Sequence, residues 1–347
     1  MNAPRQILLI RRDNIGDLVL TTPLIHALRG RFADCWIGVL GNSYNTPALA
    51  GHPDIDAVFA YDKAKHRPER HRIGVYAETA QLLWRLRALR IDLAILAGPG
   101  AQHQSARLAR WVRPRDVLGF SAVDGDSAGL TIPVPYGSGA ELHEAEDVFR
   151  LGAPLGIDGP AGPCRVVADA RASARVADAL IAAGISGRPV VAIHLSARRA
   201  PQRWPAGRFA ALMRALHQRH GAAFVLLWAP GPADDPRHPG DDAKADEVQR
   251  DLTGAVPLLA WPTVDLASLL GALACCDLMV CADGGAMHLA AGLGKPVVAL
   301  FGDSPARRWH PWSVRHAVVQ ATSGDVADLS VDEVAAACVA VGVRRSA

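Results

Sequence analysis

Short apolar runs alternate with longer helical stretches along this whole chain, and this alternation restricts its fold more than any other feature. The runs are continuous in valine, isoleucine and leucine, which is typical of parallel strands that are buried on both faces. In the first half we predict strands at 6–10, 36–40, 57–60, 92–96 and 117–120, and helices at 18–31, 75–90, 103–112 and 141–151.

The alternation stops at GAPLGIDGPAGP, residues 152–163, which is rich in glycine and proline and which we interpret as an interdomain linker. After it, we predict strands at 190–195, 224–228, 256–259, 277–282 and 296–301, and helices at 169–184, 207–220, 243–252, 264–275, 285–292 and 331–341.

The chain has 347 residues, which is too long for one ordinary core and sufficient for two domains. We therefore predict an α/β protein with two doubly wound domains, residues 1–157 and 158–347. Two such domains in tandem would place the carboxyl ends of their strands on facing sides of a central cleft, where open α/β sheets bind ligands. The closing helix could pack back on the first domain.

Composition and charge exclude several classes of protein. Half of the residues are apolar and the net charge is only +3, so the chain is neither disordered nor an evident nucleic-acid binder. The six cysteines lack zinc-ligand spacing and are predicted to be buried, reduced thiols. Neither a signal peptide nor a membrane span is evident. These features predict a cytoplasmic protein that could at most contact the inner face of a membrane.

The first candidate site is the turn RRDNIGD, residues 11–17, between the first predicted strand and the first helix. Its spacing matches neither the dinucleotide nor the P-loop fingerprint. Gly16 permits a sharp turn, and Asp17 then falls in the first turn of the helix. The Asp17 carboxylate could stabilise the positive end of the helix dipole, or it could act as a general base toward a hydroxyl group.

The second candidate site lies in CADGGAMHLAAGLGKPVVALFG, residues 281–302. Gly284 and Gly285 would expose N–H groups at a helix N-terminus, an arrangement that suits a diphosphate. His288 follows one turn later, within reach of a phosphate or sugar oxygen. Asp283 could be a simple helix cap and His288 a buried structural histidine, but their convergence with two glycines favours a binding function.

The third candidate site is the loop HLSARRAPQRWPAGRF, residues 194–209. Ser196, Arg198, Arg199 and Arg203 could donate hydrogen bonds to a phosphate, although a solvated basic loop is the commoner use of such a segment. Further basic clusters, at 67–72 and 110–115, are compatible with solvated faces or with an anionic substrate.

In this order and at this spacing, the three loops resemble glycosyltransferase family 9, the ADP-heptose-dependent lipopolysaccharide heptosyltransferases. The matching segments are ILLIRRDNIGDLVLTTPLIHALR (7–29), RRAPQRWPAGRFAAL (198–212) and CADGGAMHLAAGLGKPVVALFGDSPARRWHPW (281–312). The resemblance extends through almost the whole chain. It implies the GT-B architecture, with a Rossmann-like acceptor-binding domain followed by a Rossmann-like domain that binds the nucleotide sugar.

The resemblance also implies an inverting transfer of a heptose or a related sugar from an ADP-activated donor to a hydroxyl group of a glycolipid or oligosaccharide acceptor of the lipopolysaccharide-core type. The family's proposed base corresponds to Asp17, and Asn14 and Gly16 beside it are predicted acceptor contacts. The predicted donor-binding residues are Ser196, Arg198, Arg199, Gln202, Arg203, Thr263, Val264, Asp283, Gly284, Gly285, Met287 and His288. Asp234 or Asp235 is predicted to bind the ribose hydroxyls.

Gln202 departs from the family pattern, which has a lysine two residues before the tryptophan. A glutamine can hydrogen-bond a phosphate but cannot neutralise its charge, so Arg203, or Arg198 and Arg199, would have to supply that charge. We expect a single in-line displacement with no required cofactor, because no DxD pattern that would bridge a metal to the diphosphate is present. Magnesium remains compatible with the sequence.

Two other functions are compatible with the predicted fold. An NAD(P)-dependent oxidoreductase would share the architecture, but neither half shows the glycine-rich fingerprint that it requires. A non-catalytic sugar-binding relative is suggested only by Gln202. Acceptor contacts are expected from the first-domain loops 42–54, 61–74 and 98–106, in which we recognise no pattern.

Overall fold

The computed structural model describes residues 3–62, 72–122, 127, 129–137, 141–185, 187–235 and 239–343. The chain divides into two compact units, Met1–Cys164 and Arg165–Ala347, each with its own sheet and hydrophobic core. The sequence-based boundary lies a few residues earlier, between 157 and 158. In the described part of the chain no helix combines the length and the apolar character that crossing a membrane requires.

The first unit contains a parallel sheet in which the first strand of the chain is central. Its strands are β1 (Gln6–Ile10), β2 (Trp36–Asn42), β3 (Ala57–Tyr61), β4 (Leu93–Leu96), β5 (Asp116–Ser121) and β6 (Ile132–Pro135). Their order is β3-β2-β1-β4-β5-β6, and Ile7 pairs with Ile37 on one side and with Leu93 on the other. The turn after β1 therefore lies where the strand order reverses, the usual position of a ligand site in such sheets.

The helices of the first unit are α1 (Ile15–Val19), α2 (Thr22–Arg31), α3 (Arg72–Ala88), α4 (His103–Val112) and α5 (Glu144–Phe149). The single helix predicted at 18–31 is wrong, because α1 and α2 are separate. Pro23 lies in the first turn of α2 and has no N–H group to bond to the carbonyl of Val19, so the helix restarts at this point.

Alternate residues of β1 point to opposite faces of the sheet, and each face has its own core. Ile7 and Leu9 pack with residues of α2 and α5, whereas Leu8 and Ile10 pack with residues of α3 and α4. The continuous apolar run of β1 is thus explained by helices on both faces, as the sequence predicted.

The segment after α5 does not behave as a linker over its whole length. Residues Arg150–Leu155 form a 3₁₀ helix, and Leu151, Leu155 and Ile157 are buried in the core of the first unit. The linker prediction for 152–163 is therefore wrong for its first half, because three large apolar side chains anchor that half to the sheet. The helix predicted at 141–151 is correspondingly shorter.

The second unit repeats the topology of the first. Its strands are β7 (Val190–His194), β8 (Ala223–Trp228), β9 (Leu258–Pro262), β10 (Leu278–Ala282), β11 (Val297–Phe301) and β12 (His316–Gln320). Their order is β12-β11-β10-β7-β8-β9, and all neighbouring pairs are parallel. Here the strand order reverses between β7 and β10, the two strands from which the second and third candidate loops emerge.

The helices of the second unit are α6 (Ala170–Ala182), α7 (Ala206–His220), α8 (Asp242–Leu252), α9 (Leu266–Ala274), α10 (Gly285–Gly292), α11 (Ala306–Trp309) and α12 (Val331–Val341). The closing helix α12 packs on α7 and β12 of this same unit, with Val334 and Cys338 in the core. All six cysteines are free thiols, and five of them are buried.

The sequence analysis missed the edge strands β6 and β12. Pro133 and Pro135 lie within β6, and proline is tolerated in a sheet mainly at its edges because it has no N–H group to donate. In β12 four of the five residues are only partly buried, so the strand lacks the apolar run that marks the central strands.

Candidate functional site

The turn after β1 fixes Asp17 from two directions. Asp17 lies in α1 and is 8% exposed. Its Oδ2 accepts hydrogen bonds from the backbone N–H of Asn14 at 2.9 Å and from the Asn14 side-chain amide at 3.0 Å. Its Oδ1 accepts a hydrogen bond from Arg11 Nη2 at 3.1 Å. The carboxylate therefore caps its own helix, as one of the two interpretations of Asp17 predicted.

The capping interaction does not use all the hydrogen-bond acceptor positions of the Asp17 carboxylate. Each carboxylate oxygen has two lone pairs, and Oδ2 accepts two bonds whereas Oδ1 accepts one from the described residues. Oδ1 thus keeps the capacity to accept a proton or a further hydrogen bond. Helix capping and a catalytic role are therefore compatible for Asp17, because Oδ2 makes the capping bonds and a lone pair of Oδ1 could accept a proton.

Arg11 is the centre of a buried charge cluster that the sequence analysis missed. Its side chain is 1% exposed, and its Nη2 donates to both Asp17 Oδ1 and Glu144 Oε1, the latter at 2.8 Å. Its Nη1 donates to the carbonyl of Ala97, and its Nε lies 3.1 Å from Asp13 Oδ2. Burial alone would lower the pKa of Arg11, but Asp17, Glu144 and Asp13 together raise that pKa.

The cluster joins distant parts of the first unit. Arg11 follows β1, Ala97 follows β4, and Glu144 is the first residue of α5 and only 1% exposed. Because the guanidinium is planar and its donors diverge in fixed directions, it can hold several acceptors at once. The orientation of Asp17 is therefore set by the fold of the whole unit, through Arg11, as well as by Asn14 in its own loop.

Asn14 and Gly16, the predicted acceptor contacts, lie beside Asp17. Asn14 is exposed and is the N-cap residue of α1, and Gly16 is buried within α1. Among the predicted acceptor loops, residues 63–71 lie outside the described part of the chain. The acceptor assignments remain predictions.

In the second unit, Asp283 is held at the end of β10 by two side chains. Its Oδ2 accepts hydrogen bonds from Gln202 Nε2 at 3.1 Å and from Ser304 Oγ at 2.7 Å. Burial raises the pKa of Asp283, and the hydrogen bonds from Ser304 and Gln202 and the charge of Arg199 act in the opposite direction. The structure thus brings two of the three candidate loops together through the Gln202–Asp283 bond.

Gln202 is used differently from what the sequence analysis considered. Its side chain is buried and donates to Asp283, so its amide orients a carboxylate instead of standing free for a phosphate. Trp204, which is 1% exposed, anchors the same loop by donating its Nε1 to the carbonyl of Leu329 at 3.0 Å.

The arginines of this loop are more accessible. Arg198 and Arg199 are exposed, and Arg203 is half-buried. Arg199 pairs with Asp303, and Arg203 donates its Nε to the carbonyl of Ala197 at 2.9 Å. Ser196 Oγ accepts from the backbone N–H of Ala229 at 2.9 Å, which leaves its own proton to be donated. These are groups that can stabilise an anion.

Helix α10 starts directly after Asp283. Gly284 is its N-cap residue and is exposed, and Gly285 is its first residue and is partly buried. His288 is buried and lies edge-on to Trp309, with ring centroids 6.5 Å apart. Met287 is fully buried and its backbone N–H donates to the carbonyl of Gly284 at 3.1 Å, so its donor contact remains a prediction.

The predicted ribose loop is organised by acids that the sequence analysis did not select. Asp242 accepts hydrogen bonds from Trp228 Nε1 at 2.7 Å and from the Gly231 N–H at 2.8 Å. Asp234 is exposed and Asp235 partly buried, and residues 236–238 lie outside the described part. Both predictions for the ribose remain untested.

Thr263 follows β9 and is already engaged within the unit. Its backbone N–H and its Oγ1 both donate to the carbonyl of Trp228, at 2.9 and 2.8 Å. Val264, the next residue, is 75% exposed and offers an apolar surface. Of these two predicted donor-binding residues, Val264 is the one with an exposed side chain.

A partly buried lysine supports the start of the loop 194–209, called here the arginine loop. Lys244 on α8 donates its Nζ to the carbonyl of Leu195 at 3.1 Å and lies over the ring of Phe209. Burial lowers the pKa of Lys244 to about 8. Burial and the charge of Lys244 lower the pKa of His194 to about 4, so this histidine is neutral at pH 7.

No group of three or more histidine, cysteine, aspartate or glutamate side chains in the described residues is arranged to hold a metal ion. The candidate site of the first unit thus consists of a carboxylate near an arginine. The candidate site of the second unit consists of a carboxylate, two glycines and several arginines.

Comparison with known proteins gives one family match. The sequence model described as "Glycosyltransferase family 9 (heptosyltransferase)" matches residues 79–336. Among curated proteins, "Lipopolysaccharide heptosyltransferase 3" of Escherichia coli is 27% identical over 319 residues, which cover 90% of this chain and 88% of that protein.

Solved structures show the same fold. A glycosyl transferase family 9 protein from Veillonella parvula superposes with a TM-score of 0.80 at 18% identity, over 97% of each chain. An E. coli ADP-heptose lps heptosyltransferase II superposes with a TM-score of 0.76 at 20% identity, over 97% of this chain and 98% of that one. These likenesses confirm the predicted GT-B class of fold.

Proposed function

Because the chain belongs to glycosyltransferase family 9 (heptosyltransferase), we propose that it transfers a heptose from ADP-heptose to a sugar hydroxyl of a lipopolysaccharide-core acceptor. The names of the relatives in E. coli, a lipopolysaccharide heptosyltransferase 3 and an ADP-heptose lps heptosyltransferase II, support this choice of donor and acceptor class. Family membership also sets aside the alternative of an NAD(P)-dependent oxidoreductase.

The observation that carries the mechanism is the state of Asp17. Its carboxylate is buried and fixed by Asn14 and Arg11, and its Oδ1 accepts only one hydrogen bond from the described residues. A general base must be held in position and must have a lone pair for the proton that it removes. We therefore assign the base role to Asp17, with Oδ1 as the atom that receives the proton.

In the proposed reaction, the acceptor oxygen attacks the anomeric carbon from the face opposite the diphosphate. The new carbon–oxygen bond forms as the bond between the anomeric carbon and the phosphate oxygen breaks, and ADP departs with the bonding electron pair. The hydroxyl proton moves to Asp17 Oδ1. A single displacement of this kind inverts the configuration of the anomeric carbon.

The second unit would stabilise the departing ADP. The N–H groups at the start of α10 and the side chains of Arg198, Arg199 and Arg203 are the donors available for the diphosphate. Arg199 would exchange Asp303 for phosphate as the donor binds. Asp283, oriented by Gln202 and Ser304, can accept hydrogen bonds from donor hydroxyl groups. We propose that no metal is required, so turnover should persist in the presence of EDTA.

The test is Asp17→Asn, compared with Asp13→Asn as the matched control. Asp13 also pairs with Arg11, but its side chain is 36% exposed and lies outside α1. We expect Asp17→Asn to bind ADP normally and to lose most transfer from ADP-heptose, whereas Asp13→Asn stays active. Near-normal turnover of Asp17→Asn would remove Asp17 from the base role.

Two further measurements complete the test. An NMR spectrum of the product should show the anomeric configuration opposite to that of the donor, and retained configuration would refute the single displacement. Absence of ADP release from every ADP-sugar and acceptor tried would instead favour the non-catalytic sugar-binding alternative.

A further inference from the structure

Helices α3 and α4 lie side by side on one face of the first sheet. Leu83 and Leu86 of α3, and Ala106, Ala109 and Val112 of α4, point inward and pack in the core formed with Leu8 and Ile10. The opposite faces of the two helices therefore point away from the sheet. We call this outward surface the α3/α4 face.

The α3/α4 face carries three large aromatic side chains that are mostly exposed. Trp84 is 71% exposed, Trp111 is 66% exposed and Tyr76 is 64% exposed. Single exposed apolar residues are normal on a protein surface. Two tryptophans and a tyrosine on one pair of packed helices are not explained by packing, because none of the three contributes its ring to the core.

The same surface is strongly basic. Its exposed arginines, counted on both helices and on the residues just after them, are Arg85, Arg87, Arg90, Arg107, Arg110 and Arg113. Glu78 is the one acidic residue in the sequences of α3 and α4. Within the described part of the chain, these arginines take part in no ion pair with a carboxylate. The surface thus has six positive charges against one negative charge and few internal partners.

Exposed indole rings, together with exposed guanidinium groups that no described carboxylate pairs with, match the chemistry of an anionic lipid surface. Tryptophan and tyrosine prefer the headgroup level of a bilayer, where their polar and apolar parts are both satisfied. Arginine binds lipid phosphate and has a long apolar stem that can lie along the interface. A second copy of this chain would present the same positive charge and be repelled. With a net charge of only +3, the composition of the chain gives no indication of a nucleic-acid partner.

We propose that the α3/α4 face docks on a bilayer that contains anionic phospholipid, with Trp84 and Trp111 inserted at headgroup level and the arginines bound to lipid phosphates. The proposal deepens the proposed function, because a glycolipid acceptor would be presented at such a surface, but the docking step does not depend on the transfer chemistry.

The experiment measures co-sedimentation of the full chain with vesicles of phosphatidylcholine alone and of phosphatidylcholine mixed with phosphatidylglycerol. We expect binding only to the anionic vesicles, weakening as salt is added. The triple variant Arg85→Gln, Arg107→Gln, Arg110→Gln should bind about 100-fold more weakly, at about fivefold for each arginine near the surface. The matched control replaces the exposed Arg171, Arg175 and Arg219 of the second unit with glutamine and should bind like the wild type.

Tryptophan insertion is tested with brominated lipid, which quenches indole fluorescence on contact. The wild type should be quenched, and Trp84→Phe combined with Trp111→Phe should lose most of that quenching. Equal binding to neutral vesicles, or unchanged binding of the triple arginine variant, would overturn the proposal. So would a concentration-dependent dimer in ultracentrifugation that the paired tryptophan variant abolishes, since the face would then be a protein interface.

Transfer to a water-soluble acceptor fragment separates this proposal from the proposed function. The triple arginine variant should retain that transfer while losing vesicle binding. If the wild type transfers the sugar but does not bind vesicles, only the docking surface is refuted. If it binds vesicles but shows no transfer, only the enzymatic assignment is refuted.

Discussion

Replacement of Arg11 by methionine should destabilise the first unit strongly, because one buried guanidinium offsets three carboxylates. Methionine preserves most of the apolar volume, so the change removes mainly the charge and its donors. Glu144, 1% exposed, would lose the guanidinium that lies 2.8 Å from its Oε1, and the carbonyl of Ala97 would lose a donor. Removal of one member of a buried ion pair costs about 3–5 kcal/mol, a large part of the stability of an ordinary domain.

The assay is urea unfolding followed by far-UV circular dichroism. Because the chain has two units, two transitions can occur, and the transition that moves in Arg11→Met identifies the first unit. If Arg11→Met does not fold, Arg11→Lys provides the measurement. Lysine keeps the charge but has no planar fork to reach Asp17, Glu144 and Ala97 together, and should cost less than methionine.

A double-mutant cycle with Glu144→Gln tests whether the cost comes from the cluster. The double variant should be more stable than the sum of the two single effects predicts, by about 1–3 kcal/mol, since the Arg11–Glu144 interaction can be lost only once. Arg5→Met, at an exposed arginine just before β1, is the control and should change stability by no more than about 0.5 kcal/mol. A cost for Arg11→Met below about 1 kcal/mol, or a cycle without coupling, would refute this account of Arg11.

Three further predictions concern the second unit. Gly302→Ala should weaken ADP binding and cost about 1–3 kcal/mol of stability, because its added Cβ would lie 2.6 Å from the carbonyl oxygen of Pro201 in the arginine loop. Gly207→Ala, where a Cβ would meet open space, is the control and should be tolerated. Calorimetry measures the ADP affinity and urea unfolding measures the stability. Gln202→Lys should tighten ADP binding by roughly fivefold and lower the pKa of Asp283, since a charged ammonium would replace a neutral amide beside that carboxylate. Unchanged ADP affinity in calorimetry would contradict a contribution of position 202 to donor binding. His194 should make the unfolding free energy fall as the pH drops from 6.5 to about 4, because the unfolded chain binds a proton at His194 that the folded chain, with a pKa of about 4, does not. The pKa shift corresponds to about 3 kcal/mol. His194→Gln should abolish that part of the pH dependence in urea unfolding.

The positions of the central strands were predictable from the sequence because burial on both faces leaves an unbroken apolar run. Strands β1, β7 and β10 were located to within a residue for this reason, and the turns after them followed as candidate sites. The edge strands β3 and β9 were predicted, but β6 and β12 were missed. Pro133 and Pro135 argue against a strand when its position in the sheet is unknown, and β12 is only partly buried.

The partners of the candidate residues were not predictable, because they are distant in sequence. Arg11 and Glu144 are 133 positions apart, and Gln202 and Asp283 are 81 apart. One available signal was overlooked: Arg11 directly follows four apolar residues of a central strand, where a charged side chain must find buried partners. The presence of Gln202 where the family has a lysine was visible in the sequence, but the hydrogen bond from Gln202 to Asp283 could be found only from the structure.

The two compact units also have a consequence for how such an enzyme can change. The predicted donor-binding residues, from Ser196 to His288, all belong to Arg165–Ala347, whereas Asp17 and the predicted acceptor contacts belong to Met1–Cys164. Each unit has its own sheet and core, so mutations that alter acceptor recognition can accumulate in one without disturbing the packing of the other. A chimera joined between residues 164 and 165 should therefore inherit its nucleotide preference from one parent and its acceptor preference from the other.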